Sequence, residues 1–135
     1  MNSILKYIFS LTFSTIFSCS LINNESVNQI NSDELIEFIE LNDAILVDVR
    51  TEDEYNSGYI ESSLNIDYFS NEFSVNADKL DKSTPIILYC RSGKRSSMSA
   101  NKISKLGFKE IYNLQGGILE WIEEGNAVVF NDTIN

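Results

Sequence analysis

The sequence contains no histidine. That absence removes Ser-His-Asp hydrolysis, a papain-like Cys-His pair and histidine-ligated zinc together. Cysteine is nearly as scarce: Cys19 and Cys90 are the only two, too few for a four-cysteine metal site. Bases are few as well, 10 Lys and Arg against 20 Asp and Glu. The resulting net charge of −10 repels phosphates, which argues against nucleic acid or anionic lipid as the main partner. Of the 135 residues, 43% are apolar and 22% charged, the balance of one globular domain. A disordered chain, a collagen-like fibre and a multi-pass membrane protein are excluded on the same composition. Chemistry here must run on cysteine, carboxylates, Lys and Arg, hydroxyls or backbone dipoles, with no metal.

The N-terminal stretch has the pattern of a targeting segment. Lys6 is followed by an uncharged run from Tyr7 to Asn24. Its most apolar part, Ile8 to Phe17, has the length of a signal-peptide core, whereas a spanning helix needs roughly 20 apolar residues. The run ends in Ile16-Phe17-Ser18-Cys19, which resembles the lipobox of bacterial lipoproteins. That resemblance implies a lipidated Cys19 as the mature N-terminus and an exported protein, periplasmic or in the cell envelope, held at a membrane by its lipid. Residues 1–19 are therefore assigned to the signal peptide and lipobox, 20–26 to a polar tether, and 27–131 to the folded domain.

From Asn31 onward apolar runs alternate with helical patterns. Asn31 or Ser32 caps a helix whose Leu35, Ile36, Phe38 and Ile39 recur at helical spacing. Ala44 to Val49 and Pro85 to Tyr89 are too continuously apolar for half-exposed strands and suit parallel strands covered on both faces. Thr51 to Tyr55 predicts a short capped helix ended by Gly58, and Asn71 to Leu80 another helix. Ser96 to Leu106 is read as a helix with Gly107 as its C-cap, and Ile111 to Leu114 as a strand. Gly117 to Glu124 reads as a helix closed by Gly125. Short strands at Val27 to Ile30 and Ala127 to Phe130 bring the count to five. The pattern predicts an α/β fold with a doubly wound, largely parallel five-stranded sheet and helices on both faces.

In such a sheet, sites lie beyond the carboxyl ends of the strands. The second buried strand runs into Cys90-Arg91-Ser92-Gly93-Lys94-Arg95, with a helix expected to begin at Ser96. A cysteine facing a helix N-terminus has its thiolate stabilised by free N–H groups and the helix dipole. Three of the ten bases, Arg91, Lys94 and Arg95, lie in this hexapeptide. Dipoles and cations together predict a thiol pKa below its free value of about 8.5, with no histidine needed. Gly93 permits the tight turn that aims successive N–H groups at one anion.

The ordered set Leu46-Val47-Asp48-Val49-Arg50, Glu54-Tyr55, Gly58-Tyr59-Ile60, Ser63-Leu64-Asn65-Ile66, Tyr89 to Ser96, and Leu114-Gln115-Gly116-Gly117-Ile118 with Trp121 resembles a single-domain rhodanese. The resemblance spans Val27 to Phe130 and implies a sulfurtransferase. In it Cys90 takes a sulfane sulfur from a small anionic donor such as thiosulfate and passes it to a thiol or cyanide. Arg91, Ser92, Gly93, Lys94 and Arg95 would cradle the persulfide, with no cofactor. Asp48 and Arg50 are read as a mainly structural pair, Ser96 as a hydroxyl donor or helix cap, and Gly116-Gly117 and Trp121 as helix-start and core features. Tyr59 stands where the family usually has His, a position read as structural. Two other classes compete: a non-catalytic or sulfur-carrier module, and a cysteine phosphatase or arsenate reductase. The second places Arg after five intervening residues, whereas Arg95 follows Cys90 after four and Ser96 holds the next position.

Overall fold

The computed structural model describes residues 27–130, so the segments expected to be a signal peptide with Cys19 and a tether, and residue 131, lie outside the described residues. Within them the chain runs β1 (Asn28–Ile30), α1 (Ser32–Leu41), β2 (Ile45–Asp48), α2 (Glu52–Asn56), β3 (Leu64–Asn65), α3 (Phe73–Asp78), β4 (Ile86–Tyr89), α4 (Lys94–Ser104), β5 (Ile111–Leu114) and α5 (Gly117–Glu123). The five strands form one parallel sheet in the order β1-β5-β4-β2-β3. Their carboxyl ends therefore share one edge, with β4 in the middle.

The continuous apolar runs serve two layers at once. Side chains of a strand alternate between faces, and those of β4 divide accordingly. Ile86 and Leu88 join Val47, Phe73, Ala100, Ile103 and Phe108 against α3 and α4. Ile87 and Tyr89 join Leu35, Leu46, Ile118 and Trp121 against α1 and α5. Leu88 is fully buried, so truncating it to alanine would cost about 2–5 kcal/mol. Cys90 continues the even-numbered side and reaches the α3–α4 layer.

Local signals account for the starts of α1 and α2. Asn31 and Thr51 each cap a helix in a reciprocal box, with Glu34 and Glu54 returning to the cap N–H. Three expectations need correction. Helix α4 begins at Lys94 rather than Ser96, because Gly93, with φ of +95°, already serves as its N-cap. The segment Ala127 to Phe130 is no strand and makes a single antiparallel bridge, Tyr59 to Val129. The fifth strand is instead β3, two residues that exist by pairing with Val47 and Asp48. The helix expected over residues 71–80 is shorter, Phe73–Asp78.

Candidate active site

Cys90 leaves the central strand at the sheet's carboxyl edge and is 1% exposed. Its Sγ accepts the N–H of Gly93 at 3.1 Å and lies 3.4 Å from the Ser96 hydroxyl. That hydroxyl also lies 3.1 Å from the Gly93 carbonyl. It carries one proton, and a thiolate, being charged, is the stronger acceptor for it. Burial is the largest influence on the thiol and pushes its pKa up. Hydrogen bonds from the Ser96 hydroxyl and from the N–H groups of Ser96, Ser92 and Gly93 outweigh it, so the thiol sits below its ordinary range.

The loop is anchored from behind by α5. Ile118 N–H donates to the Cys90 carbonyl at 2.9 Å and Leu119 N–H to the Arg91 carbonyl at 3.1 Å. A Cβ on Gly117 would stand 2.5 Å from the Cys90 carbonyl oxygen and 2.6 Å from that of Arg91. Only glycine permits this approach, and its φ of +59° disfavours other residues independently. The Gly116-Gly117 turn is thus a helix start pressed against the Cys90 loop.

Next to the loop, β2 ends in a closed ion pair. Arg50 donates from its backbone N–H to Asp48 Oδ1 at 2.9 Å and from Nε to both carboxylate oxygens at 3.0 Å. Its Nη2 continues to the Gly58 carbonyl at 2.7 Å. Asn65 Nδ2 donates to the carbonyls of Asp48 and Arg50 at 3.0 and 2.9 Å, tying β3 to the same corner. Both charged residues are buried, and their contacts fit the structural reading. The expected cation cluster is divided. Arg91 and Lys94 are exposed, while Arg95 donates to Glu54 through two nitrogens at 2.7 and 2.6 Å. These hydrogen bonds hold Glu54 at about 2, well below the usual carboxylate value. Glu54 was missed as a site neighbour. Its capping role is local, but its pairing with Arg95 is a contact between distant parts of the chain. Among the described residues no three His, Cys, Asp or Glu side chains are placed to hold a metal ion.

A family model described as the rhodanese-like domain matches residues 31–124. The chain belongs to that family. The rhodanese-like relatives include a sulfurtransferase of Allochromatium vinosum, 31% identical over 76% of this chain and 95% of its own length. A thiosulfate sulfurtransferase GlpE of Coxiella burnetii is 34% identical over 69% and 85%. A tRNA uridine(34) hydroxylase of Pelagibacter ubique is 31% identical over 83% of this chain but 40% of the relative. Among solved structures, a rhodanese-related protein from Thermoplasma volcanium superposes with a TM-score of 0.68 at 32% identity, covering 77% of this chain and 99% of its own. The rhodanese-like fold also explains Tyr59, the residue standing where His is usual. Its ring stacks on Tyr55 at 4.1 Å and its backbone makes the bridge to Val129, both structural contacts.

Proposed function

We propose that this rhodanese-like domain transfers sulfane sulfur from an anionic donor such as thiosulfate to a thiol or cyanide, through a persulfide on Cys90. The observation that carries the reading is the Cys90 sulfur, buried and held by the Gly93 N–H at 3.1 Å with the Ser96 hydroxyl alongside. The thiolate attacks the outer sulfur of thiosulfate, the sulfur–sulfur bond breaks, and sulfite leaves with the electron pair. The new anionic sulfur is stabilised by N–H groups of the loop, with Arg91 and Lys94 drawing in the donor. Cyanide then attacks the outer sulfur and leaves as thiocyanate, returning the Cys90 thiolate. The names of the sulfurtransferase relatives support this reading. Lipid attachment at Cys19, and with it a place in the cell envelope, belongs to the same proposal.

Intact-mass measurement after incubation with thiosulfate should find one added sulfur on Cys90, removed again by cyanide. The Cys90→Ser variant should keep its fold and lose transfer completely. Substantial activity in that variant, or no sulfur uptake from any common donor, would refute the proposal. A Cys19→Ala variant should lose an acyl mass and leave the membrane fraction.

A further inference from the structure

Asn113 lies opposite Leu88 on β5, the strand beside β4, and is 4% exposed. Its Nδ2 donates to Gln29 Oε1 of β1 at 2.9 Å and reaches the Gly93 carbonyl at 3.5 Å. An amide nitrogen carries two protons, so both contacts are made at once. Its Oδ1 is the one buried side-chain nitrogen or oxygen without a hydrogen-bond partner among the described residues. Leaving a buried acceptor unpartnered costs stability and calls for a reason. Turning the amide over would set Oδ1 against the Gly93 carbonyl oxygen, which has no proton to offer. The orientation is therefore explained by what the nitrogen does.

The Gly93 carbonyl is where the Cys90 loop divides its protons. A carbonyl oxygen has two lone pairs, and three donors converge on this one. Ser97 N–H donates to it at 3.1 Å as α4 begins. The Ser96 hydroxyl lies at 3.1 Å and Asn113 Nδ2 at 3.5 Å. Ser96 has a second acceptor within reach, Cys90 Sγ at 3.4 Å. With Ser97 and Asn113 on the carbonyl, the single hydroxyl proton of Ser96 goes to the sulfur.

We propose that Asn113 is a positioning residue: its amide, clamped by Gln29, occupies the Gly93 carbonyl and thereby commits the Ser96 hydroxyl to Cys90 Sγ. Without the amide the hydroxyl proton falls back on the carbonyl, and the thiolate loses a donor. The effect is on the resting thiolate, so it goes beyond the transfer reaction proposed above and holds for any sulfur donor or acceptor. The charged groups around Cys90 stay the same when Asn113 is changed. Arg95 of α4 feels the charge of Cys90 and is clasped by Glu54 of α2. Asp48 and Arg50 close on each other at the end of β2, and Arg91 and Lys94 are exposed. Helix α5 meets the loop through the N–H groups of Ile118 and Leu119.

The pH profile of alkylation by iodoacetamide, a neutral reagent, tests this on the full-length protein when followed on the peptide that carries Cys90. Asn113→Leu, close in size, should raise the thiol pKa and leave roughly threefold less thiolate below it. Added to Ser96→Ala, the same substitution should change the thiolate fraction by less than about 1.3-fold, because the hydroxyl through which it acts is gone. A merely structural role would not depend on Ser96. An unchanged profile in Asn113→Leu overturns the proposal, as does an equal shift with and without the Ser96 hydroxyl. Gln29 is exposed, so Gln29→Leu leaves the core intact should Asn113→Leu fail to fold. It removes the clamp and should raise the thiol pKa only where Ser96 is present; no rise overturns the proposal. The measurement uses no sulfur donor, so failure of thiosulfate to load Cys90 would refute the transfer reading and leave this result standing.

Discussion

Strands β2 and β4 lie side by side and parallel, and each delivers a buried, hydrogen-bonded acid group to the same edge of the sheet. At β2 the group is Asp48, fully buried and enclosed by three nitrogens of Arg50. At β4 it is Cys90, almost as deeply buried, yet its sulfur is met by N–H groups and one hydroxyl. An anion bound to a guanidinium in a fixed fork is fully committed to structure. An anion held by neutral dipoles is stabilised while staying nucleophilic, because a thiolate's intrinsic reactivity falls as its pKa is driven down. The difference shows how one sheet edge can lock one acid group into a rigid corner and leave its neighbour held by dipoles alone.

The largest expected effect breaks the β2 corner. Asp48→Ala leaves Arg50 buried without its partner and should cost about 3–5 kcal/mol, measurable by urea unfolding. A loss under about 1 kcal/mol would mean that Arg50 reaches water and that the corner is not closed. Ser96→Ala targets the β4 side: alkylation of Cys90 near neutral pH should slow by about tenfold while unfolding changes little. With a neutral alkylating reagent, the wild-type rate should persist to lower pH than that of free cysteine, since the depressed pKa keeps the thiolate populated there. Glu54 offers a finer test. Its carboxylate is lowered in the folded state, so its stabilisation is complete above about 4.5 and is lost as pH falls through about 2. Glu54→Gln should flatten that part of an acid-unfolding profile. Arg91→Ala should do least. Being exposed, it should raise the thiosulfate KM about threefold, an effect that fades with salt, and leave stability and alkylation nearly unchanged.

The sequence was most readable where the physics is local. The apolar runs around Val47 and Leu88 announced strands buried on both faces, and Asn31 and Thr51 announced helix starts. Cys90 before a glycine-containing basic loop pointed to the carboxyl edge of the sheet, where the structure places its sulfur against loop N–H groups. Reading failed where a tertiary partner decides. Leu64 and Asn65 carry no strand pattern, Leu64 being exposed, and are extended because β2 is beside them. Ala127 to Phe130 has the pattern but finds only Tyr59 to pair with. At α4 the serines drew the helix start too late, because Gly93 caps through its backbone conformation and offers no side-chain signal. The basic loop suggested three free cations, and only the fold reveals that Arg95 is engaged by Glu54.

The anchoring of Cys90 and Arg91 carbonyls by Ile118 and Leu119 also bears on the order of assembly. Helix α5 is the last helix of the described chain, and β5, one of the two flanking partners of β4, directly precedes it. A growing chain that ends after α4 would hold the cysteine but neither the strand beside it nor the helix behind its loop. Contacts between such distant segments form late, because closing the intervening chain must precede any gain from them. The loop that holds Cys90 is therefore locked from behind only when the C-terminal helix docks, and a chain ending after α4 carries the same residues on an unanchored loop.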